Sequence, residues 1–316
     1  WDFLIKDKES LCVSTDTRNL PAGCVFFALH GANFDGNKFA KQALEKGASL
    51  AVIDNPEYAL PQGTLLVEDT LLALQELARA WRRELGLPII GITGTNGKTT
   101  TKELLATVLS TKYHLHYTQG NLNNQIGVPL TLLQITRAHE MAIVEMGASH
   151  PGDIKELVDI ALPNFGLVTN VGKAHLLGFG SFEGVMATKG ELYDYLRRTS
   201  DKVFINVDNP YLCRMASERN LQSDPERPYS LVLPYGVEYQ GFTVLPSDAD
   251  HPYLRLSHPV HGMINTNLVG SYNADNVVAA IAVGSQFGVS MDEAITAVEA
   301  YVPSNNRSQM TRTEKN

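Results

Sequence analysis

Cysteine is scarce: Cys12, Cys24 and Cys213 are the only three in 316 residues, an odd count without metal-binding spacing. That argues against a disulfide-stapled secreted framework and fits a reducing cytosol. No run approaches the roughly 18 apolar residues of a membrane span, and the first ten residues lack a basic start followed by an apolar stretch. A cytoplasmic location with no membrane insertion is therefore expected. Basic charge is also in deficit, 26 Lys and Arg against 34 Asp and Glu for a net charge of −8. A broad cationic face is missing, so no nucleic-acid partner is expected, although a local basic pocket remains compatible with that balance. Methionine is absent from position 1, where Trp1 stands, so some native N-terminal sequence is expected to precede it.

What remains is an ordinary globular composition, 44% hydrophobic and 19% charged, long enough for about two domains at roughly 150 residues each. Phe26 to Leu29 and Ala51 to Ile53 read as buried strands around a helix over Lys38 to Lys46 that Gly47 closes. A second helix follows Asp69, with Leu71, Leu74, Ala78 and Trp81 at helical spacing, and ends near Gly86. Gly86-Leu87-Pro88 then breaks the pattern, giving an expected division into residues 1–85 and 86–316.

Beyond Pro88, strand and helix alternate: Ile89 to Thr93, helix Thr99 to Ser110, strand Met141 to Met146, helix Gly152 to Leu162, strand Phe165 to Val171. Such alternation predicts an α/β fold with a mostly parallel sheet and crossover helices. A further strand is expected over Lys202 to Val207. Between Pro225 and Pro259, which hold six of the fifteen prolines, short segments such as Phe242 to Leu245 and Tyr253 to Leu256 suggest a β-rich excursion. Helices return over Ala274 to Phe287 and Asp292 to Tyr301, the latter behind the capping box Ser290-Met291-Asp292-Glu293.

Gly91 to Thr100 reads Gly-Ile-Thr-Gly-Thr-Asn-Gly-Lys-Thr-Thr between a predicted strand and a predicted helix. Gly94, Thr95, Asn96, Gly97, Lys98, Thr99 and Thr100 can form a phosphate cradle. Glycines let backbone N–H groups converge on phosphate oxygens, Lys98 adds positive charge, and Thr99 can offer a hydroxyl to magnesium. The strict phosphate-loop pattern fails at Ile92, where it wants glycine, and the strand and helix context carries the reading instead. Glu145, ending an apolar strand, suits a metal-directed carboxylate at the sheet's carboxyl edge; the competing reading is a solvated strand-end glutamate. His175 should reach the same rim, but a lone histidine is more often structural. Lys189, taken locally, is a helix-surface lysine.

Gly94 to Thr100 resembles the phosphate loop of the Mur ligases, ATP-dependent amide-forming enzymes of peptidoglycan precursor synthesis. Three further stretches are similar in the same order: Gly120 to Thr131, Glu145 to Gly152, and Asn170 to His175 with Gly178 to Ser181. The resemblance covers nearly the whole chain. It implies ATP and magnesium as cofactors, with UDP-N-acetylmuramoyl-tripeptide and D-alanyl-D-alanine as substrates and a monomeric enzyme. Lys98 and Thr99 would serve the ATP phosphates and the first magnesium, and Glu145 and His175 would hold magnesium. Lys189 would match the lysine that family members carbamylate, so that Lys98, Lys189 and His175 form the implied catalytic set.

The same resemblance assigns Asn273 and Asn276 to adenine and Arg307 to the nucleotide. It places Thr17, Arg18, Asn33 and Asp35 at the UDP-sugar end of the substrate, in an N-terminal substrate-binding domain, and Asn123 and Asn124 on the muramoyl-peptide side. Tyr272 and Asn37 stand where the family usually has histidine, and Leu177 where it has glutamate. Family members carry a third α/β domain after the Arg307 region, so this chain is expected to be an incomplete form with little ligase activity. Two rival readings stay open: a sister Mur or folylpolyglutamate-type ligase, and a non-catalytic nucleotide-binding protein.

Overall fold

The structure of the protein, a computed structural model, describes residues 1–172, 176–221 and 231–303. It contains two compact units. One gathers Trp1–Leu87 with Thr118–Glu140 and Asp159–Leu162, and the other gathers Pro88–Tyr117, Met141–Val158 and the chain from Pro163 onward.

In the first unit, a short helix α1 (Asp2–Ile5) leads into β1 (Val13–Ser14) and β2 (Val25–Phe27). A two-residue hairpin, β3 (His30–Gly31) with β4 (Phe34–Asp35), is followed by α2 (Ala40–Glu45), β5 (Leu50–Ile53) and β6 (Thr64–Leu66). The four strands β1-β2-β5-β6 form a wholly parallel sheet in that order. Phe26, Ala28, Ala51 and Ile53 from the sheet and its edges close a core with Ala40 and Ala43 of α2. The helix expected from Lys38 begins instead as a 3-10 turn over Gly36–Phe39, because the Asp35 carboxylate accepts from the Asn37 backbone N–H and tightens that turn.

Helix α3 (Thr70–Leu85) starts where Asp69 accepts from Leu72 N–H and stops at Gly86, whose φ of 66° suits glycine. Its apolar stripe is buried, and Trp81 Nε1 donates to the Ile135 carbonyl at 2.8 Å. Arg79 and Arg82 donate to the carbonyls of Asp159, Ala161 and Leu162, which ties that later segment to the same unit. Cys12 and Cys24 are joined as a disulfide, a pairing that the sparse cysteine count argued against. The reason is register: Val25 N–H donates to the Cys12 carbonyl where β1 and β2 begin to pair, leaving the two Cα atoms 4.5 Å apart.

The second unit runs β7 (Ile89–Thr93), α4 (Lys98–Leu109), β8 (Leu115–Tyr117), β9 (Met141–Glu145), α6 (Asp153–Ala161, of which Asp159 onward is grouped with the first unit) and β10 (Phe165–Val168). The intervening helix α5 (Gly127–Leu133) belongs to the first unit. Then come α7 (Leu176–Phe179), α8 (Phe182–Thr199), β11 (Lys202–Asn206), α9 (Pro210–Ser217) and β12 (Val232–Tyr235). All neighbouring pairs in the six-stranded order β12-β11-β10-β7-β9-β8 are parallel. The chain departs from β7 to one side and returns to its other side at β10, so β7 marks the switch point at which open α/β sheets receive ligands.

The β-rich excursion is a three-stranded antiparallel sheet of β13 (Thr243–Leu245), β14 (Arg255–His258) and β15 (Gly262–Asn265). Helices α10 (Ala274–Gln286) and α11 (Met291–Ala300) complete the unit, the second opened by the expected Ser290–Glu293 capping box. Leu104, Leu105 and Val108 of α4 share one core with Val277 and Ile281 of α10. Among the described residues no helix is long and apolar enough to cross a membrane.

Trp81→Phe keeps most of the buried ring but leaves the Ile135 carbonyl without its indole donor. It should lower the unfolding free energy by about 1–3 kcal/mol in urea titrations. An unchanged midpoint would show that this bond does not hold the first unit together.

Candidate active site

The loop after β7 is built around two glycines with positive φ, Gly94 at 146° and Gly97 at 77°. A side chain on Gly94 would collide with Thr169 Oγ1, and one on Gly97 with Asn276 Oδ1, so both positions need close backbone approach as well as the special φ. The loop is laced to the segment after β10. Thr95 N–H donates to the Asn170 carbonyl, Asn96 N–H donates to Asn170 Oδ1, and Gly172 N–H donates to Thr95 Oγ1. Lys98 folds back so that its ammonium donates to the carbonyls of Gly94 and Thr95 at 2.8 and 3.1 Å. Thr99 and Thr100 follow it in the first turn of α4, at the positive end of the helix dipole.

Glu145 faces this turn from the neighbouring strand, where its register partner is Ile92. It is 2% exposed, so the solvated strand-end reading does not hold. Thr99 Oγ1 lies 3.4 Å from Glu145 Oε1, and Lys102 Nζ lies 3.7 Å from Oε2. A hydroxyl and a carboxylate converging beside a phosphate loop form the hard-oxygen donor set that magnesium prefers, with phosphate oxygens and water to complete it. Among the described residues no group of three or more His, Cys, Asp or Glu is assembled for a metal.

Lys189 corrects its local reading. It is not on a helix surface: α8, an 18-residue helix that the sequence reading passed over, buries Val185, Met186, Lys189, Leu192, Tyr193 and Leu196 together. The Lys189 ammonium stands 5.5 Å from the centre of the Phe179 ring and is 2% exposed. Burial, reinforced by the charge of Lys98 and opposed by Asp153 and Glu191, lowers its pKa from 10.5 to about 8. Two carboxylates that the sequence reading did not single out fix the surrounding loop. Asp153 accepts from the N–H groups of Ser149 and His150, and Glu191 accepts from those of Gly152 and Lys155, with each distance between 2.7 and 2.9 Å. Burial pushes the Glu191 carboxyl up against the pull of those two donors. Its position two residues after Lys189 was the available signal.

Asn273 and Asn276 are buried and joined to each other, Asn276 Nδ2 donating to Asn273 Oδ1 at 2.9 Å. Asn276 also accepts from Thr101 Oγ1 at 3.0 Å, so the segment expected at adenine is pinned to α4 just behind the loop. Tyr272 is exposed. His175 and Arg307 lie outside the described residues.

In the first unit, Thr17 and Arg18 line a pocket of about 490 Å³ with Thr15, Asp16, Phe26, Phe34 and Phe39. Arg18 clasps Asp16 through its guanidinium and backbone N–H, and this holds the Asp16 carboxyl down at about 2. Phe34 and Phe39 stack at 5.7 Å. Asn33 is exposed on the hairpin beside them, while Asp35 is occupied in capping the 3-10 turn that follows β4, accepting from the Asn37 backbone and side chain. Asn37 is buried, bridging Asp35 to Asp54. Asn123 is half-buried, and Asn124 Oδ1 accepts from the Ile126 and Gly127 N–H groups where α5 begins.

Parallel strands, a laced glycine loop and a buried carboxylate on the adjacent strand are the arrangement with which α/β proteins hold nucleotide phosphates. Residues 92–284 match the Mur ligase middle domain, and residues 11–82 match the Mur ligase family catalytic domain. The chain belongs to the Mur ligase family. It is 36% identical over 315 residues to the UDP-N-acetylmuramoyl-tripeptide–D-alanyl-D-alanine ligase of Bacillus subtilis, covering 96% of this chain and 64% of that protein. The Synechocystis ligase of the same name is 40% identical over 294 residues, covering 92% of this chain and 61% of that protein. Among solved structures, the MurF ligase of Thermotoga maritima in complex with ADP superposes with a TM-score of 0.81 at 27% identity, covering 98% of this chain and 70% of that one. The chain thus spans less than two thirds of the length of the two curated relatives.

The Lys189 shift fixes the sign of a stability effect. Between pH 8 and 10.5 the unfolded lysine still holds a proton that the folded one has released, so stability rises with pH across that window. Below pH 8 the buried charge destabilises the fold, by an amount on the order of 3 kcal/mol. In carbonate-free buffer, Lys189→Met should therefore be more stable than the parent at pH 7, with the advantage shrinking toward pH 10. Parallel stability–pH curves would contradict the burial of a charged amine.

Proposed function

We propose that this chain supplies the UDP-substrate and ATP sites of a ligase that joins D-alanyl-D-alanine to UDP-N-acetylmuramoyl-tripeptide in the cytoplasm. The observation that supports it most directly is the meeting of the Lys98–Thr99 turn with buried Glu145, in a chain whose relatives bear that ligase's name. The first unit holds the UDP end in the Thr17–Arg18 pocket, where the stacked phenylalanines offer an apolar wall and Arg18 a charge for phosphate. Asn33 and Asp35 border that end, Asn123 and Asn124 the muramoyl-peptide side, and Asn273, Asn276 and Arg307 the nucleotide.

In the reaction, the terminal carboxylate of the tripeptide attacks the γ-phosphorus of ATP. The bond to ADP breaks and an acyl phosphate forms. The amine of D-alanyl-D-alanine, having lost its proton, then attacks the acyl carbon and expels inorganic phosphate, leaving the new amide. Lys98 and the first turn of α4 face the charge that builds on the transferring phosphoryl oxygens. Thr99, Glu145 and His175 would hold magnesium, which when bound supplies further charge neutralisation. Lys189, with its pKa brought near neutrality, has the free-amine fraction needed to add carbon dioxide. The carbamate, formed with loss of a proton from the amine, would replace a buried cation with a carboxylate-like anion suited to a magnesium ion.

Calorimetry with magnesium and ATP tests the nucleotide site on this chain: Lys98→Ala and Glu145→Ala should each weaken binding at least tenfold, and unaltered affinity would place the nucleotide elsewhere. With ¹³C-bicarbonate, a carbamate resonance should appear in the parent and vanish in Lys189→Ala. For the reaction, phosphate release from the full-length coding product should need both UDP-N-acetylmuramoyl-tripeptide and D-alanyl-D-alanine. Release indifferent to the dipeptide would point to a sister ligase instead.

A further inference from the structure

We infer that Lys102 is the standing counter-ion of the metal carboxylate, a positioning residue that makes the Glu145 site favour metal arriving with nucleotide phosphates over the bare cation. This rests on the assignment of Glu145 to magnesium made above. Lys102 lies one helical turn beyond Lys98 on α4, and its role differs from that of Lys98 because its ammonium turns inward. Its side chain and that of Glu145 are each 2% exposed, with Nζ 3.7 Å from Oε2. The Tyr117 ring, 5.9 Å from the same nitrogen, covers it. Lysines ordinarily extend their charged ends to water, and this one is held where water does not reach.

The two carboxylate oxygens are thereby distinguished. Oε2 faces Lys102, while Oε1 faces Thr99 Oγ1 at 3.4 Å, on the side of the phosphate loop where the proposed cation would sit. A divalent ion on Oε1 sits one carboxylate's width from a fixed positive charge in a poorly screened interior, so the bare ion is repelled. An ion that arrives already bound to phosphates brings negative charge that offsets the repulsion. In the absence of metal, Lys102 also keeps the buried carboxylate compensated, so Glu145 can hold one orientation before ligands bind.

Manganese(II) is a suitable probe, because its free-ion paramagnetic resonance signal falls on binding. The parent, Lys102→Met, Lys102→Gln and Lys102→Arg would be titrated with manganese alone and with manganese plus ADP, after circular dichroism has shown each to be folded. The glutamine variant keeps a hydrogen-bond donor for Glu145 without the charge, so the experiment stands if the methionine variant does not fold. Both neutral variants should bind bare manganese at least about tenfold more tightly than the parent, and Lys102→Arg within about threefold of it. With ADP present, the gap between parent and neutral variants should narrow. Folded neutral variants with unchanged or weaker affinity for the bare ion would overturn the inference, since a purely structural lysine predicts no tightening. If ADP fails to increase manganese binding even in the parent, the metal assignment of Glu145 itself falls.

Discussion

Burial of one negative charge governs the arrangement of the second unit. Glu145 ends a fully buried strand, β9, and its carboxylate is out of water. Such a group is tolerable only when charges and donors are brought to it. The neighbouring β7 supplies them, because the parallel register that sets Ile92 beside Glu145 also makes the chain leave β7 into the glycine loop and enter α4 directly opposite. Thr99 and Lys102, three residues apart on one face of α4, then meet the two oxygens. The position of α4 is fixed in turn by its core contacts with α10 and by Thr101 bonded to Asn276. A packing requirement deep in the sheet thus sets the geometry at its edge.

The phosphate loop is constrained from its other side by the strand after it in space, not in sequence. Asn170 and Thr169, which follow β10, receive or donate four hydrogen bonds with Thr95 and Asn96. The loop's shape therefore depends on β10 lying beside β7, which only the completed sheet provides. This explains why a generic phosphate-loop pattern, which fails at Ile92, is a poor guide here: residues 70 to 80 positions away do part of the work that pattern glycines do elsewhere.

The sequence was most legible where local rules decide the structure. Asp69 and Gly86 bracket α3, Ser290 and Glu293 open α11, and the alternation after Pro88 is the alternation of the parallel sheet. It was least legible where tertiary packing overrides residue character. Strands β8 and β12 are three and four residues long and carry His116 and Pro234, so neither shows a clear period. Helix α8 puts a lysine among its buried residues, which a polarity count assigns to the solvent side. Cys12 and Cys24 became neighbours through the β1–β2 register, a relation that spacing alone does not encode. Lys102 carries no local signal for a related reason: like Lys189, it is a charged residue of a helix whose enclosure comes from elements remote in the chain.

The enclosure of Lys189 shows how the fold can prepare a reactive amine without placing any single activating residue beside it. Helix α8 presses the residue into the sheet layer, and Phe179 covers it with an aromatic face. Burial is the largest cause of its lowered pKa, and the charge of Lys98 from the phosphate loop adds to it. The counter-charges that could restore the ammonium, Asp153 and Glu191, are instead engaged with the backbone N–H groups of the loop after β9. Each holds two N–H groups of that loop and acts on Lys189 only as a nearby negative charge, which opposes the burial without outweighing it. The two carboxylates that oppose the lowered pKa of Lys189 are therefore the same two that hold the loop following Glu145, so the electrostatics around the amine and the shape of residues 149–155 share their determinants.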